Sequence, residues 1–369
     1  MGAVLGFLLM FSVAVTSAGR LVASTLLFAG LGPVFLTRAW VDRSRRWFLG
    51  GLVCGGAALT LAGIVFARAP NGADGPTGKV SANYGGTTVH FSRFTPGNLV
   101  PEVDQLMACY TVMSAVDRLF TLRQASELKS FTKQVYAEME ADPDFSQLGS
   151  AMPLVYDEML LRSPAVGHTF VYVPPGLDRT KAAPVFVFFH GSGGNFKAYL
   201  WVLSAVADRL KMVLVAPSFG AGNWQLRETE AAFDVAMQAA SKRVKIAADN
   251  VHVAGLSNGG LAVSQLGSVR GLQLRSVIFV SPVFDGERIG SSDFALQCRA
   301  RPMLVLTGRE DDRVPLGYVS SAVGVLVGAG ALPTLEVVPA ANHFLLFSHR
   351  ERVVGTLVDW LSHHGVSEQ

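Results

Sequence analysis

Hydrophobic residues are concentrated near the start of the chain, where three runs without a charged side chain follow one another at residues 3–19, 21–37 and 47–67. The third run has 21 residues, and about 20 apolar residues in a helix suffice to cross the hydrocarbon core of a bilayer. Trp47 and Arg68 flank this run, and both residue types are typical of the membrane interface. We therefore predict a transmembrane helix over residues 47–67.

The first two apolar runs leave the number of membrane crossings open. Joined in one straight helix they would extend roughly 52 Å at 1.5 Å per residue, which is longer than a bilayer core requires. Either one of them crosses the membrane, or both cross it as a hairpin that turns at residues 17–20. A cleaved signal peptide is disfavoured because no basic residue precedes the first run. We predict a membrane region over residues 1–70 with two or three helices.

The charge of one connector predicts the orientation of this membrane region. Residues 38–46 include Arg38, Arg43, Arg45 and Arg46. Positively charged connectors remain on the cytoplasmic side, so the third run leads outward whether there are two spans or three. We therefore predict an integral membrane protein whose later residues lie outside the cytoplasm, in the periplasm or at the cell surface if the chain is bacterial.

The segment that follows the membrane region divides into two parts. Residues 71–102 are rich in Gly, Ser and Thr and contain Pro76 and Pro96, a composition that is typical of an irregular linker. Residues 103–164 show apolar side chains three and four positions apart, which is the spacing of amphipathic helices. We predict a linker and then a helical segment, which is a candidate cap for the next domain.

From residue 167 the pattern changes to short apolar runs that alternate with helical spacing. The predicted strands are residues 169–173, 184–189, 212–216, 251–254, 276–280, 302–307 and 334–338, and the predicted helices are residues 228–244, 258–268, 316–327 and 348–363. Continuous apolar runs are expected where a strand is buried on both faces of a sheet. The alternation predicts an α/β domain over residues 165–369 with a doubly wound, mostly parallel sheet.

Composition and charge exclude several classes of protein. Hydrophobic residues make up 50% of the chain and charged residues only 16%, whereas soluble domains usually carry about 25% charged residues. This composition is typical neither of an ordinary soluble protein nor of a disordered one. Residues 1–70 hold six Arg and one Asp, and the remainder holds 25 basic and 27 acidic residues. Because the basic excess belongs to the membrane region, we expect no nucleic-acid partner.

The three cysteines, Cys54, Cys109 and Cys298, are too few for a disulfide scaffold and form no CxxC zinc pattern. We therefore predict neither a metal site nor a cofactor. Cys54 lies within the third apolar run, whereas Cys109 and Cys298 lie in the part that is expected outside the cytoplasm. An oxidising compartment permits a disulfide between these two, and the sequence leaves their pairing open.

Residues 255–259 read Gly-Leu-Ser-Asn-Gly and match the pattern G-x-S-x-G. These residues follow the predicted strand at 251–254 and open a predicted helix. Small residues flank a serine in this context because the turn from strand to helix is sharp and strained, and it projects the hydroxyl clear of the sheet. Ser257 is therefore a candidate nucleophile, and an ordinary serine in a glycine-rich turn is the alternative.

A second glycine-rich loop, His-Gly-Ser-Gly-Gly at residues 190–194, follows the predicted strand at 184–189. Backbone N–H groups in such a loop can donate hydrogen bonds to a developing oxyanion. A phosphate-binding loop is disfavoured because no G-K-[ST] sequence follows. We interpret His190 as an organiser of this loop rather than as a proton shuttle.

An acidic residue and a histidine follow later strands. Asp311 lies beyond the strand at residues 302–307, at the end of the sheet where α/β proteins place their sites, and Glu310 and Asp312 are its rivals. His343 is the one histidine of eight in a loop after a C-terminal strand. A histidine that a carboxylate orients can take the proton of a serine hydroxyl, so these residues predict acyl-transfer chemistry.

The chain order Ser257, Asp311, His343, with a glycine loop upstream, resembles the α/β-hydrolase superfamily over roughly residues 167–363. Residues 249–260 are similar to the nucleophile turn of dienelactone-hydrolase-like esterases, polyester-depolymerase-type esterases and prolyl-oligopeptidase-like enzymes. The membrane region and the helical segment lie outside the resemblance.

The resemblance implies a role for each member of this set. Residues 308–315 resemble the acid loop of small carboxylesterases, which favours Asp311 over its acidic neighbours. The family pattern then implies Ser257 as the nucleophile, His343 as the base and Asp311 as the acid that orients it.

The resemblance further implies an oxyanion hole and a reaction. The amide of Asn258, with that of Ser192 or Gly193, would bind the oxyanion. The expected reaction is hydrolysis of a carboxylic ester, small or lipidic, through an acyl-enzyme intermediate. Two alternatives remain, a serine peptidase of the prolyl-oligopeptidase-like type and a non-catalytic envelope protein that uses the fold for binding.

Three aromatic residues are candidates for an acyl pocket. Phe219, Trp224 and Phe284 each follow the end of a predicted strand, where side chains can face a substrate. The alternative is that they pack the rim of the domain.

Overall fold

The chain forms two compact units, and the computed structural model describes residues 2–117, 120–160 and 167–365. The N-terminal unit consists of Met1–Ala73, His90–Glu138 and Gly149–Pro153, and the sheet unit consists of Asp74–Val89, Met139–Leu148 and Leu154–Gln369. The chain therefore passes from one unit to the other several times, which no pattern along the sequence indicated.

Three apolar helices begin the N-terminal unit: α1 (Gly2–Val13), α2 (Ser17–Asp42) and α3 (Arg45–Arg68). By length and composition, α2 with 26 residues and α3 with 24 residues are able to cross a membrane. α1 has 12 residues, about 18 Å at 1.5 Å per residue, which is too short for a straight crossing. The described residues thus contain two candidate spans.

The chain turns between α1 and α2 at residues 14–16, earlier than the predicted turn at 17–20. Thr16 caps α2 with its side chain. The buried carboxylate of Asp104 accepts hydrogen bonds from the amides of Val15 and Thr16 at 2.7 and 3.2 Å. The first amides of a helix have no partner within it. The carboxylate of Asp104, which is distant in sequence, therefore stabilises the turn at residues 14–16.

In the described residues, four helices lie within or next to the segment predicted as helical, residues 103–164. The helices are α4 (Glu102–Val116), α5 (Leu122–Met139), α6 (Pro143–Gln147) and α7 (Met152–Leu160), and a 3-10 turn, Pro96–Asn98, precedes them. Residues 118–119 and 161–164 of the predicted segment lie outside the described residues. Asp142 caps α6, since its side chain accepts a hydrogen bond from the Asp144 amide, which explains the break after α5.

The sheet unit is built on one sheet that has nine strands in the described residues. They are β1 (Val80–Tyr84), β2 (Thr87–Val89), β3 (Thr169–Tyr172), β4 (Ala183–Phe189), β5 (Val213–Pro217), β6 (Ile246–Leu256), β7 (Ser276–Val280), β8 (Pro302–Gly308) and β9 (Leu332–Val338). Their order is β2-β1-β3-β5-β4-β6-β7-β8-β9. The strands from β5 onward along the sheet are parallel, and β1, β2 and β3 pair antiparallel.

The prediction of an irregular linker over residues 71–102 is wrong for the part that holds β1 and β2. These strands form a hairpin, and β1 pairs with β3 at the end of the sheet. Gly85 and Gly86 make the two-residue turn, with φ of 58° and 82°. Glycine adopts positive φ without strain, and a Gly-Gly pair between short runs is the signal that would have indicated the hairpin.

Helices cover both faces of this sheet. They are α8 (Lys197–Leu210), α9 (Leu226–Ser241), α10 (Gly259–Arg270), α11 (Gly286–Ile289), α12 (Ser292–Cys298), α13 (Leu316–Gly328), α14 (Leu345–Ser348) and α15 (Arg350–His363), with a 3-10 turn at Gly271–Gln273. In β4 the side chains of Val185 and Val187 are buried, and so are those of Phe186 and Phe188, which point to the opposite face. The predicted doubly wound, mostly parallel sheet is confirmed.

Candidate active site

Ser257 lies at the sharp turn between the end of β6 and the start of α10. Its φ is 51°, in the left-handed region that costs a non-glycine residue about 1 kcal/mol or more. The flanking glycines are required by close packing. A Cβ at Gly259 would lie 2.1 Å from the carbonyl oxygen of Phe189, and a Cβ at Gly255 would lie 2.2 Å from the carbonyl oxygen of Gly259.

The structure brings the side chains of Ser257, His343 and Asp311 together. The Ser257 hydroxyl lies 3.0 Å from Nε2 of His343. Nδ1 of His343 lies 2.9 Å from Oδ2 and 3.2 Å from Oδ1 of Asp311. Because a carboxylate only accepts hydrogen bonds, Nδ1 is the protonated nitrogen and Nε2 accepts the serine proton.

Local hydrogen bonds hold the acid in place. Oδ1 of Asp311 accepts the amides of Arg313 and Val314 at 3.1 and 2.8 Å. Asp311 is 4% exposed, whereas its rivals Glu310 and Asp312 are exposed. Among the three acidic candidates, burial and the contact with His343 therefore single out Asp311.

The strand ends β8 and β9 carry the acid and the histidine to the same edge of the sheet. β8 and β9 are parallel neighbours that end at Gly308 and Val338. A Cβ at Gly308 would lie 2.2 Å from the carbonyl oxygen of Ala341. Only glycine permits this approach, which brings the loop of Asp311 against the loop of His343.

The glycine loop after β4 holds two candidate donors to an oxyanion, the amides of Ser192 and Gly193, and one of them has another partner. The amide of Gly193 donates to the carbonyl of Ala221 at 3.1 Å, so it is not available to an oxyanion. Within the described residues the amides of Ser192 and Asn258 donate to no other group. In the described part of the chain, the backbone amides of the predicted oxyanion-hole residues Ser192 and Asn258 are therefore free to donate.

His190 is buried and organises the glycine loop, as predicted. Burial lowers the pKa of His190 to about 4, which keeps the imidazole neutral near pH 7. Its Nδ1–H donates to the carbonyl of Gly191 at 2.7 Å, and its Nε2 accepts the amide of Phe219 at 3.1 Å. Nδ1 thus makes a hydrogen bond within the loop, and Nε2 joins the loop to the segment after β5.

The three aromatic candidates for an acyl pocket belong to the packing of the domain. Trp224 is 2% exposed and donates its Nε1–H to the carbonyl of His190 at 3.0 Å. Phe284 is buried against Phe279, with ring centroids 4.7 Å apart. Phe219 is half-buried against Trp224. The structure places Trp224 and Phe284 in the hydrophobic core.

Sequence reasoning missed a buried cluster next to the glycine loop. His168 directly precedes β3, and its position in the sequence indicated no part in the site. In the structure its ring contacts the carboxylate of Glu158 at 2.8 Å, and Ser218 donates its hydroxyl to the same carboxylate. No local motif marks these residues, which meet from α7, β3 and the end of β5.

The cysteines and acidic groups suggest no further chemistry at this site. All three cysteines are free, with Cys54 and Cys298 buried and Cys109 exposed. Burial raises the pKa of the Cys298 thiol to about 12, so that thiol is not a nucleophile near neutral pH. In the part of the chain that the structure describes, no group of three or more His, Cys, Asp or Glu side chains is arranged to hold a metal ion.

Acidification is expected to destabilise the sheet unit through two buried histidines. Burial lowers the pKa of His190 to about 4 and that of His252 to about 3. In the unfolded chain both values are about 6.5, so below pH 6.5 the unfolded chain binds more protons and the free energy of unfolding falls. We expect a loss of roughly 2–3 kcal/mol per histidine between pH 7.5 and pH 4.5.

Denaturant unfolding of the detergent-solubilised chain at several pH values measures this loss. The variant His252→Gln should show a flatter dependence between pH 6.5 and pH 4.5. His363 is exposed, and the control variant His363→Gln should follow the wild-type curve. A His252→Gln curve as steep as the wild type would contradict the assignment.

Comparison with known proteins finds similarity to solved structures. No family model matches the chain, and no curated protein matches it. It is similar to a thermophilic esterase, Est2, from Thermogutta terrifontis, with 17% identity over 55% of this chain and 91% of that one and a TM-score of 0.47. It is similar to Est1E from Butyrivibrio proteoclasticus, with 15% identity over 54% and 95% and a TM-score of 0.43. A third structure, described as a dipeptidyl aminopeptidase IV from Bacteroides ovatus, shows 17% identity over 53% and 33% and a TM-score of 0.44.

Proposed function

We propose that this chain is a serine hydrolase that cleaves carboxylic esters through an acyl-enzyme intermediate. One observation carries the proposal: the continuous hydrogen-bonded series from Ser257 through His343 to Asp311, with distances of 3.0 and 2.9 Å. The strained turn at Ser257 and two free backbone amides beside it support the same chemistry. A serine hydroxyl needs such a base, since it is a weak nucleophile on its own.

In the proposed acylation step, Oγ of Ser257 attacks the carbonyl carbon of the ester while Nε2 of His343 takes the hydroxyl proton. The carbonyl π electrons move onto oxygen, which gives a tetrahedral oxyanion. When the oxyanion collapses, the bond from carbon to the leaving oxygen breaks and His343 gives its proton to the departing alkoxide. Asp311 stabilises the imidazolium and keeps its Nδ1 protonated.

Deacylation repeats these transfers with water in place of the serine. His343 takes a proton from water, the hydroxide attacks the acyl carbon, and the ester bond to Ser257 breaks as His343 returns the proton to Oγ. In both steps the amides of Ser192 and Asn258 would donate to the oxyanion. A single donor of this kind contributes about 3–4 kcal/mol in comparable sites.

The proposed enzyme is anchored in a membrane by α2 and α3. Arg43, Arg45 and Arg46 lie at the junction of these helices, and such a positive connector stays in the cytoplasm. The chain after α3 would then lie outside the cytoplasm. The proposed substrate is accordingly an extracytoplasmic ester, either a small molecule or a lipid.

Thiol labelling tests this orientation. Cys109 is exposed, and Cys54 and Cys298 are buried. A membrane-impermeant maleimide applied to spheroplasts that express the chain should label Cys109, and the control variant Cys109→Ser should remain unlabelled. Labelling that appears only after the membrane is permeabilised would place this part of the chain in the cytoplasm.

The reaction is tested by a substrate panel and a mechanism-based probe. The purified chain should hydrolyse p-nitrophenyl esters of several acyl lengths, and a fluorophosphonate should label it at Ser257. Hydrolysis of peptide amides in preference to esters would favour the peptidase alternative. Absence of both labelling and turnover would favour a binding protein.

A further inference from the structure

A buried acid–histidine pair lies in the sheet unit apart from the proposed triad. His168 is fully buried, and the side chain of Glu158 is 3% exposed. Nδ1 of His168 lies 2.8 Å from Oε1 of Glu158, and its Nε2 lies 3.2 Å from the backbone carbonyl oxygen of Asn195. Asn195 directly follows the glycine loop, so the pair reaches the loop that carries the Ser192 amide.

The partners of this ring define its charge. A backbone carbonyl has no proton to donate, so Nε2 of His168 must be the donor to Asn195. The Glu158 carboxyl already accepts the His168 amide at 2.8 Å and the Ser218 hydroxyl. Burial raises the pKa of Glu158, but the charge of His168 and these hydrogen bonds outweigh it and hold the pKa below its ordinary value.

Both ring nitrogens therefore face acceptors. A neutral imidazole carries only one N–H, so the two contacts are satisfied together by an imidazolium beside a carboxylate. Gly167 fits this pair closely, since a Cβ there would lie 2.4 Å from the Glu158 carboxylate. A buried ion pair is stable when each charged group has its hydrogen-bond partners, as it does here.

The glycine loop has no helix or strand of its own, so its position depends on such contacts. On the side of β5, Gly193 donates to the carbonyl of Ala221, and the side-chain amide of Asn195 donates to the carbonyl of Ala216 at 2.8 Å. The contact from His168 adds a charged donor to these neutral ones. Charge-assisted hydrogen bonds are roughly twice as strong as neutral ones, which makes His168 a firm restraint on the loop.

We propose that Glu158 and His168 are positioning residues for the oxyanion hole: the charged pair holds the carbonyl of Asn195 and thereby the amide of Ser192. The proposal rests on the proposed function. Neither side chain touches the reacting atoms. A displacement of about 1 Å at a catalytic group can cost a hundredfold in rate, so loosening this restraint acts on the transition state more than on substrate binding.

Kinetics of the purified full chain test this role. In His168→Gln and Glu158→Gln, we expect kcat for a p-nitrophenyl ester to fall about 30- to 100-fold with KM within about threefold. The inhibition constant of a trifluoromethyl ketone, which forms a tetrahedral oxyanion on a serine, should rise in the same proportion as kcat/KM falls.

A second buried histidine provides the matched control. His252 is also fully buried, and its ring contacts Ser276 and Asn250 at 2.6 and 2.8 Å, away from the glycine loop. The variant His252→Gln should keep kcat within about twofold. If His168→Gln keeps the wild-type kcat, the positioning role is wrong. It is also wrong if His168→Gln and Glu158→Gln lose activity only in proportion to the loss of folded protein.

Nitrogen-15 NMR of the histidine rings gives a readout that needs no activity. The wild type should show a His168 ring with both nitrogens protonated, because both nitrogens face acceptors; this signal is lost in His168→Gln and becomes that of a neutral ring in Glu158→Gln. His190 also faces the pair, and it is neutral near pH 7 because burial lowers its pKa to about 4. A neutral His168 in the wild type would overturn the proposal. Failure of the proposed hydrolysis would appear instead as a wild type without turnover or fluorophosphonate labelling.

Discussion

Replacing Ser257 by alanine is expected to lower kcat for ester hydrolysis by at least about a thousandfold. The variant lacks the oxygen that attacks the carbonyl, so no acyl-enzyme forms. The remaining rate would come from the backbone donors of the oxyanion hole acting on water. In the structure the Ser257 hydroxyl is hydrogen-bonded to His343. Its removal should therefore leave the rest of the fold unchanged.

Three measurements make the Ser257→Ala result specific. Fluorophosphonate labelling should disappear, and the thermal unfolding midpoint should stay near that of the wild type. Ser321 lies on the exposed face of α13 and donates to the carbonyl of Gly317. The control variant Ser321→Ala should keep full activity. Turnover within tenfold of wild type in a folded Ser257→Ala would remove this residue from the mechanism.

Replacing Asp311 by asparagine is expected to lower kcat by about 10³- to 10⁴-fold, because it forces the wrong histidine tautomer. Oδ1 of Asp311 accepts the amides of Arg313 and Val314, and this environment requires an oxygen there. The NH₂ group of the asparagine must then occupy the place of Oδ2, 2.9 Å from Nδ1 of His343. A donor at that place makes Nδ1 an acceptor, so the ring proton moves to Nε2, which can no longer take the proton of Ser257.

The neighbouring acid provides the control for this variant. Asp312 differs from Asp311 by one position and is exposed, so Asp312→Asn removes the same charge from the same loop and should keep kcat within about twofold. Pre-steady-state measurements should place the Asp311→Asn loss in the acylation rate, with KM little changed. Equal effects of the two variants would show that only the charge of the loop matters, and the orienting role would be wrong.

Local patterns were sufficient where one stretch of chain determines its own conformation. The continuous apolar runs predicted strands buried on both faces, and Val185 to Phe188 are buried in that way. The Gly-Leu-Ser-Asn-Gly turn predicted a strained serine, which has a φ of 51°. Both features arise from residues adjacent in sequence, because side-chain period and glycine content act over a few positions.

Local patterns failed where contacts between residues distant in sequence determine the conformation. The turn before α2 is stabilised by Asp104, far along the chain, and the β1–β2 hairpin joins a sheet whose next strand begins at Thr169. From the sequence alone, the amides of Ser192 and Gly193 are equivalent candidates for the oxyanion hole. Ala221 engages that of Gly193, and only the folded chain brings this carbonyl to the loop.

The kind of sheet, the apolar helices ahead of it and the order of the candidate nucleophile, acid and base follow from residue patterns along the chain. The packed fold was needed to show which acidic side chain meets His343, which aromatic rings are buried, and that His168 contacts Glu158 and Asn195. The reason is physical: backbone propensity and hydrophobic period act between near neighbours in the chain, whereas hydrogen bonds between side chains depend on distances that exist only after the strands and helices have packed.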